Sequence, residues 1–191
     1  MGSTVSSVYE DRTLWEEFKG GDKNAFMKIY RENYPVLLKY GLKIKYHEEF
    51  VKDCIQETFL DLLNHTDTLG NTNNIRFYLL ASLRRKIFRK LRYDLSFRID
   101  ENYYFDSLQQ AESPIEESLI HEEQFQSKKN LLKDLIDHLT PRQKEALLLK
   151  FYTCFDYTEI AKVMDMNVQS VRNLIYKAIK VLREQVREQF P

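Results

Sequence analysis

The spacing of the apolar residues constrains this chain most. They return every three to four positions along 13–93 and again along 114–188, and no stretch alternates in the Val/Ile/Thr-rich manner of a strand. That period builds amphipathic helices. Residues 94–113 keep no such period and are rich in Asp, Glu, Gln and Ser, with Phe97, Tyr103, Tyr104 and Phe105 embedded among them. A length of 191 residues suffices for two small domains. The expected fold is therefore all-α, with one small helical domain at 13–94 and a second at 114–188. An acidic flexible linker at 95–113 joins them, and a flexible tail at 1–12 precedes them. Only five Gly and four Pro interrupt the pattern, which agrees with helices.

Local signals place the helix starts. Thr13 and Glu16, Ser113 and Glu116, Thr140 and Gln143, and Asp156 and Glu159 each pair a capping residue with an acid or amide three positions on. Pro114 and Pro141 fall at the first helical position, where a missing N–H costs nothing. These signals and the apolar period predict helices at about 13–19, 23–33, 35–45, 48–64, 74–93, 114–138, 141–152, 157–164 and 168–188. Gly20-Gly21, Gly70-Asn71 and the Asp165-Met166-Asn167 turn separate neighbouring helices.

Net charge is zero, yet the charges are sorted into blocks. From Asn74 to Tyr93 there are seven bases and no acid. From Asp94 to Glu123 there are nine acids and only Arg98, and from Val168 to Arg187 five bases stand against Glu184 alone. Blocks of one sign create local fields that the total conceals, and basic helices suit nucleic acid.

On a helical wheel, Val168, Val171, Leu174, Ile175, Ala178, Ile179, Val181 and Leu182 form one arc, while Gln169, Ser170, Arg172, Asn173, Tyr176, Lys177, Lys180 and Arg183 form the other. A short helix with Ile160, Ala161 and Met164 inward precedes this one, across a three-residue turn whose Asn167 can cap it. That is a helix-turn-helix, with an outer face of amides and bases. Gln169, Ser170, Arg172 and Asn173, near the helix start, are placed to read base edges, with Tyr176 on the same face; Lys177 and Lys180 suit the phosphate backbone.

Helix 74–93 turns Phe77, Leu80, Leu83, Ile87 and Leu91 to one side. Opposite run Tyr78, Ser82, Arg85, Arg89 and Arg92, an aromatic heading a row of arginines that would suit single-stranded DNA. Helix 48–64 turns Phe50, Val51, Cys54, Ile55, Phe59 and Leu62 inward, and surrounds an outward Leu60 with Asp53, Gln56 and Glu57. An apolar residue with a polar rim is a small protein-docking spot.

Other chemistries lack their signatures. His47, His65, His121 and His138 fall at no metal-ligand spacing, and neither cysteine has a partner two or three residues away. No phosphate-binding glycine loop or nucleophile elbow occurs, so no enzyme, metal, cofactor or small-molecule substrate is expected. Lone Cys54 and Cys154, with no signal-like or bilayer-length apolar run, lead to the expectation of a cytoplasmic protein.

Taken in order, these pieces resemble the extracytoplasmic-function group of RNA polymerase sigma factors. Asp53-Cys54-Ile55-Gln56-Glu57-Thr58-Phe59-Leu60-Asp61 resembles that family's region 2.2 signature, and residues 75–85 are similar to its region 2.3–2.4 helix. Leu139 to Glu145, Tyr157 to Ala161 and Ser170 to Leu174 resemble region 4. The resemblance implies a non-enzymatic initiation factor in which Asp53, Gln56, Glu57 and Leu60 bind the core polymerase. It implies that Asn64, Asn71, Asn73 and Asn74 capture a base flipped from the −10 element, and that Tyr78, Arg85, Arg89 and Arg92 hold the melted strand. It further implies that the helix-turn-helix reads a double-stranded −35 element, that the acidic linker threads the path later taken by RNA, and that a membrane-linked anti-sigma protein regulates the whole. Many relatives carry Trp or Asn in the 2.3–2.4 helix where this chain has Tyr78 and Arg84-Arg85. A stand-alone helix-turn-helix repressor, activator or response-regulator output domain would explain 139–188 equally well. It would leave the acid-faced helix and the first basic helix without a role.

Overall fold

The computed structural model describes residues 3–94, 135–136 and 138–189. The chain divides into two units, residues 1–99 and 100–191, and all regular structure among the described residues is helical.

The first unit holds α1 (Ser3–Lys19), α2 (Lys23–Ile44), α3 (Glu48–Asn64) and α4 (Ile75–Asp94), with a short 3₁₀ turn at Thr66–Thr68. Polar side chains start three of them. Asp22 accepts the N–H of Asn24 ahead of α2 at 2.7 Å. His47 Nδ1 accepts that of Phe50 at 3.1 Å, which places the ring proton on Nε2. Asn74 Oδ1 accepts that of Phe77 at 2.9 Å. Helix α2 lies at the centre, in contact with α1, α3 and α4. Ile29, Leu37 and Ile44 of α2 meet Val51, Ile55 and Leu62 of α3 and Leu79, Leu80, Leu83 and Ile87 of α4 in a sealed core. Each such side chain contributes about 1.5–3 kcal/mol of burial. At Gly41 of α2 the Val51 side chain of α3 packs so closely on the backbone that an added Cβ would overlap its Cγ1, so only glycine fits without a shift. A chain of ring contacts runs from Trp15 through Phe18, Phe26 and Phe59 to Tyr30 and Tyr34, tying α1, α2 and α3 together.

The second unit contains α5 (Pro141–Leu147), which runs on through a π-helical turn at Leu148–Tyr152, then α6 (Tyr157–Met164) and α7 (Val168–Gln189). Both expected capping boxes form, Thr140 with Gln143 and Asp156 with Glu159, and Pro141 takes its place in the first turn. In the π turn the Thr153 N–H reaches back five residues to the Leu148 carbonyl, while Thr153 Oγ1 donates to the Leu149 carbonyl at 2.6 Å. Helix α6 ends on Asp165, whose φ of 53° is left-handed, a conformation that Asp tolerates better than most residues. Ile160, Ala161 and Met164 of α6 are buried as expected, and so are Val171, Ile175 and Ala178 of α7.

Several expectations need correction. The helix expected from Thr13 begins at Ser3, so residues 3–12, expected as a flexible tail, form its first turns and Thr13 is no cap. Within this helix Asp11 bonds to the start of α4 at 3.0 Å, a contact no local pattern announces. The break expected between 33 and 35 is absent, and Pro35 sits inside a continuous α2. Its exposed ring removes one donor from the ladder, while buried Asn33 donates its side-chain amide to the Ile29 carbonyl at 2.8 Å one turn earlier. The linker at 95–113, the Ser113 start signal and the helix expected at 114–138, apart from helical Leu135 and Ile136 and the turn at His138, lie outside the described residues.

Candidate functional site

Three surfaces gather the residues singled out by sequence. On α7, Gln169, Arg172, Asn173, Tyr176, Lys177 and Lys180 are exposed and Ser170 is half-buried, as the wheel requires. The Asn167 side chain accepts the Ser170 N–H at 2.7 Å, so the predicted cap of the second helix is present. Gln169 Nε2 donates to Asn173 Oδ1 at 3.1 Å, which aligns two amides on the outer face. The guanidinium of Arg172 lies 5.6 Å from the ring centroid of Tyr157, at the start of α6, and Lys150 Nζ approaches the same ring at 4.8 Å. Tyr157 thus steers a base-reading candidate from the other helix, and no spacing rule singled it out. Tyr176 is the most exposed aromatic here, at 69%.

The second surface is the outer side of α3. Asp53 and Gln56 are exposed, and Leu60 is 47% exposed among them. Leu60 does not stand alone. It borders an apolar groove of about 420 Å³ between α2 and α3, lined also by Met27, Tyr30, Tyr34, Phe59 and Leu63. Met27 and Leu63 add exposed apolar surface at 44% and 42%. Neither was singled out by sequence, although both recur at helical spacing with Tyr30 and Leu60 on their own helices.

Glu57 behaves differently from its neighbours. Its carboxylate pairs with Lys90 at 2.6 Å and Lys86 at 3.5 Å of α4, and Asp61 pairs with Lys86 at 2.6 Å. Lys86 is almost wholly buried, its side chain 7% exposed. The hydrogen bond from Lys90 holds Glu57 below the ordinary carboxylate range, that from Lys86 does the same to Asp61, and the bond to Glu57 raises Lys90. Burial pushes the nearby Cys54 thiol up to about 11.

The third surface is α4 with the loop before it, and here the seven bases divide. Lys86 and Lys90 belong to the clasp with α3. Arg84 is buried with its guanidinium 4.5 Å from the Phe88 ring. Arg76, Arg85, Arg89 and Arg92 are exposed. Tyr78 corrects an expectation: it is half-buried, edge-on to Trp15 at 5.2 Å, because α1 covers the face a wheel of α4 alone leaves open. The four asparagines also differ. Asn64 ends α3 and is exposed, Asn71 Oδ1 accepts from Lys19 Nζ at 3.3 Å, Asn73 is exposed, and Asn74 is the cap of α4.

A family model for sigma-70 region 2 matches residues 29–94, which carry most of α2 with α3 and α4, and one for sigma-70 region 4 matches residues 129–182, which carry α5, α6 and most of α7. The chain belongs to the sigma-70 family, in its extracytoplasmic-function group. This sigma factor is 23% identical over 159 residues to the RNA polymerase sigma factor YlaC of Bacillus subtilis, covering 82% of this chain and 88% of that one. It is 25% identical over 174 residues to the ECF RNA polymerase sigma factor BldN of Streptomyces coelicolor, covering 88% of this chain and 63% of that protein. Its fold is similar to that of the sigma factor RpoE of Bartonella quintana, solved in complex with the anti-sigma factor NepR, with a TM-score of 0.58 at 17% identity over 85% of this chain and 96% of that chain. The acid-faced α3 and the basic α4 thus fall in region 2, and the helix-turn-helix falls in region 4.

Proposed function

We propose that this sigma factor binds core RNA polymerase and directs promoter-specific initiation from two DNA-reading surfaces, performing no bond-making itself and working in the cytoplasm. The observation that carries the proposal is the presence, in family order, of a region 2 match over an acid-faced and a basic helix and a region 4 match over a helix-turn-helix. Asp53, Gln56 and Leu60 form the contact surface for polymerase, extended by the groove beside Leu60. A hydrophobic patch with a polar rim is what a stable protein contact requires. Glu57 acts behind that surface, fixing α3 on α4. Asn64, Asn71 and Asn73 are the base-capturing amides; the melted strand follows Arg85, Arg89 and Arg92, with Tyr78 supporting the row from behind. Gln169, Ser170, Arg172 and Asn173 read the −35 duplex, with Tyr176, Lys177 and Lys180 along the backbone. The domains are those of the sequence reading, 13–94 and 114–188 about an acidic linker at 95–113, with the first domain's helix extended back to Ser3. An anti-sigma protein holds the factor in reserve, a reading supported by the complex of the similar sigma factor RpoE with the anti-sigma factor NepR.

The test is run-off transcription by purified core polymerase, with and without this protein, on fragments of its own genome. Transcripts from defined starts that require the protein establish the function and supply its promoters. Specific fragment retention by the protein alone, with no transcripts, would assign it to the stand-alone repressor class instead.

A further inference from the structure

Asp11, Trp15 and Lys19 stand four residues apart on α1 and so share one face of that helix. All three reach the same segment. Trp15 Nε1–H donates to the Gly70 carbonyl at 2.9 Å. Lys19 Nζ donates to the Leu69 carbonyl at 2.7 Å and to Asn71 Oδ1 at 3.3 Å. Asp11 Oδ2 accepts the Ile75 N–H at 3.0 Å, one of the donors a helix start leaves open. The loop 69–75 is thus gripped at both ends from a helix 50 to 64 residues away in sequence. Inside the grip the side-chain bonds are local: Thr72 Oγ1 donates to the Asn74 carbonyl and accepts the Asn74 N–H, and Asn74 Oδ1 caps α4. Exposed Asn73 sits between the two fixed points.

We propose that this face of α1 is a strap that sets the geometry of the base-capturing loop, making Asp11, Trp15 and Lys19 positioning residues for the choice of base in the −10 element. The inference rests on the base-capture reading of the loop given above. An ammonium only donates, so the Asn71 carbonyl oxygen turns to Lys19 and its NH₂ turns away, which fixes the polarity this amide offers a base. A loop already held in one shape does not lose that freedom on binding, and small displacements of a reading group cost selectivity. The Lys19–Asn71 bond is exposed and adds little to stability, so its consequence is orientation.

The test uses the full chain assembled with core polymerase, on a promoter recovered as above and varied base by base across a pre-melted −10 element. Transcript ratios between templates are compared, so overall activity cancels. Lys19→Met leaves the apolar core intact, and Trp15→Phe keeps a ring against Tyr78 while removing the N–H. Each should lower the preference at one position roughly five- to tenfold, the scale of one base contact, and Lys19→Arg should recover part of it. Unchanged ratios in both variants, or a uniform loss of transcript with preference intact, would overturn the strap. Asn71→Ala and Asn73→Ala separate the two ideas. If they abolish the preference while the strap variants keep it, the loop reads the base and the strap is wrong. If they too leave it unchanged, the loop does not read a base and the strap proposal falls with that reading.

Discussion

The clasp between α3 and α4 is asymmetric, and the asymmetry yields a quantitative prediction. Lys86 is nearly buried, whereas its partners Asp61 and Glu57 keep side-chain exposures of 59% and 41%. Replacing Lys86 by Met preserves the buried stem and leaves two carboxylates that can turn to water. The loss should be about 1 kcal/mol, the scale of a partly exposed pair. The double variant Glu57→Gln, Asp61→Asn instead leaves an ammonium in an apolar site with only neutral amides. Breaking a buried pair from the other side costs about 3–5 kcal/mol, and water reaching the site through the exposed acids reduces this to about 2–3 kcal/mol. Adding Lys86→Met to the double variant should then restore stability to within about 1 kcal/mol of the parent, because the nearly buried charge is gone and the more exposed Lys90 can turn to water. Trp15 makes the assay clean. It is the only tryptophan in the chain and is 1% exposed in the first unit, so its fluorescence in urea follows that unit alone. Midpoints should shift at constant slope. If Lys86→Met destabilises as much as the double variant, or if the triple variant fails to recover, buried charge is not what makes the clasp necessary.

The same groups set a pH profile. Glu57 and Asp61 are held below their ordinary values, so their contribution is present above about pH 4 and fades as pH falls through the lower folded values. Lys90 is raised by Glu57, so its contribution is present below about pH 10 and is lost as pH rises through the folded value. Trp15 melts across pH should show a plateau between these limits, with a shallower acid limb in Glu57→Gln. Cys54, buried with its thiol pushed up to about 11, should resist a thiol-reactive dye in the folded chain while exposed Cys154 reacts, and equal labelling rates would contradict the packing. Arg172→Ala should relax −35 preference by about 1–3 kcal/mol in transcription from promoter variants. Tyr157→Leu, which removes the ring beside Arg172, should move it the same way by about 0.5–1 kcal/mol.

Legibility in the sequence followed the range of the interactions. Where one helix supplies both signal and structure, as at Thr140–Gln143, Asp156–Glu159 and the two arcs of α7, spacing was sufficient. The tie of α1 to α4 is invisible to spacing because Asp11 finds its partner 64 residues on, and Pro35 misleads because packing against three helices carries α2 past a missing donor. Tyr78 was misplaced because a wheel describes one helix, and α1 covers a face that α4 alone leaves open. The charge count of α4 was right in number and incomplete in meaning, since the acids that answer two of its bases lie on α3.

That division of charge bears on how the first unit works. Arginines carry the exposed row on α4, while its lysines 86 and 90 turn to α3. Guanidinium keeps its charge and geometry at a phosphate, and a flexible ammonium suits a point contact with carboxylates, so the sorting matches the chemistry of each side. On α3, Asp53 and Gln56 face outward, Asp53 one turn before Glu57 and two before Asp61, and Gln56 beside Glu57, whereas Glu57 and Asp61 are tied to α4. The surface proposed to meet polymerase and the surface proposed to meet the melted strand are therefore opposite products of one ion-paired helix pair, packed through Ile55, Leu62, Leu83 and Ile87. The proposed docking of α3 on polymerase would then orient the arginine row through the clasp. Loosening the clasp while sparing both surfaces should impair initiation more than it impairs either binding step alone.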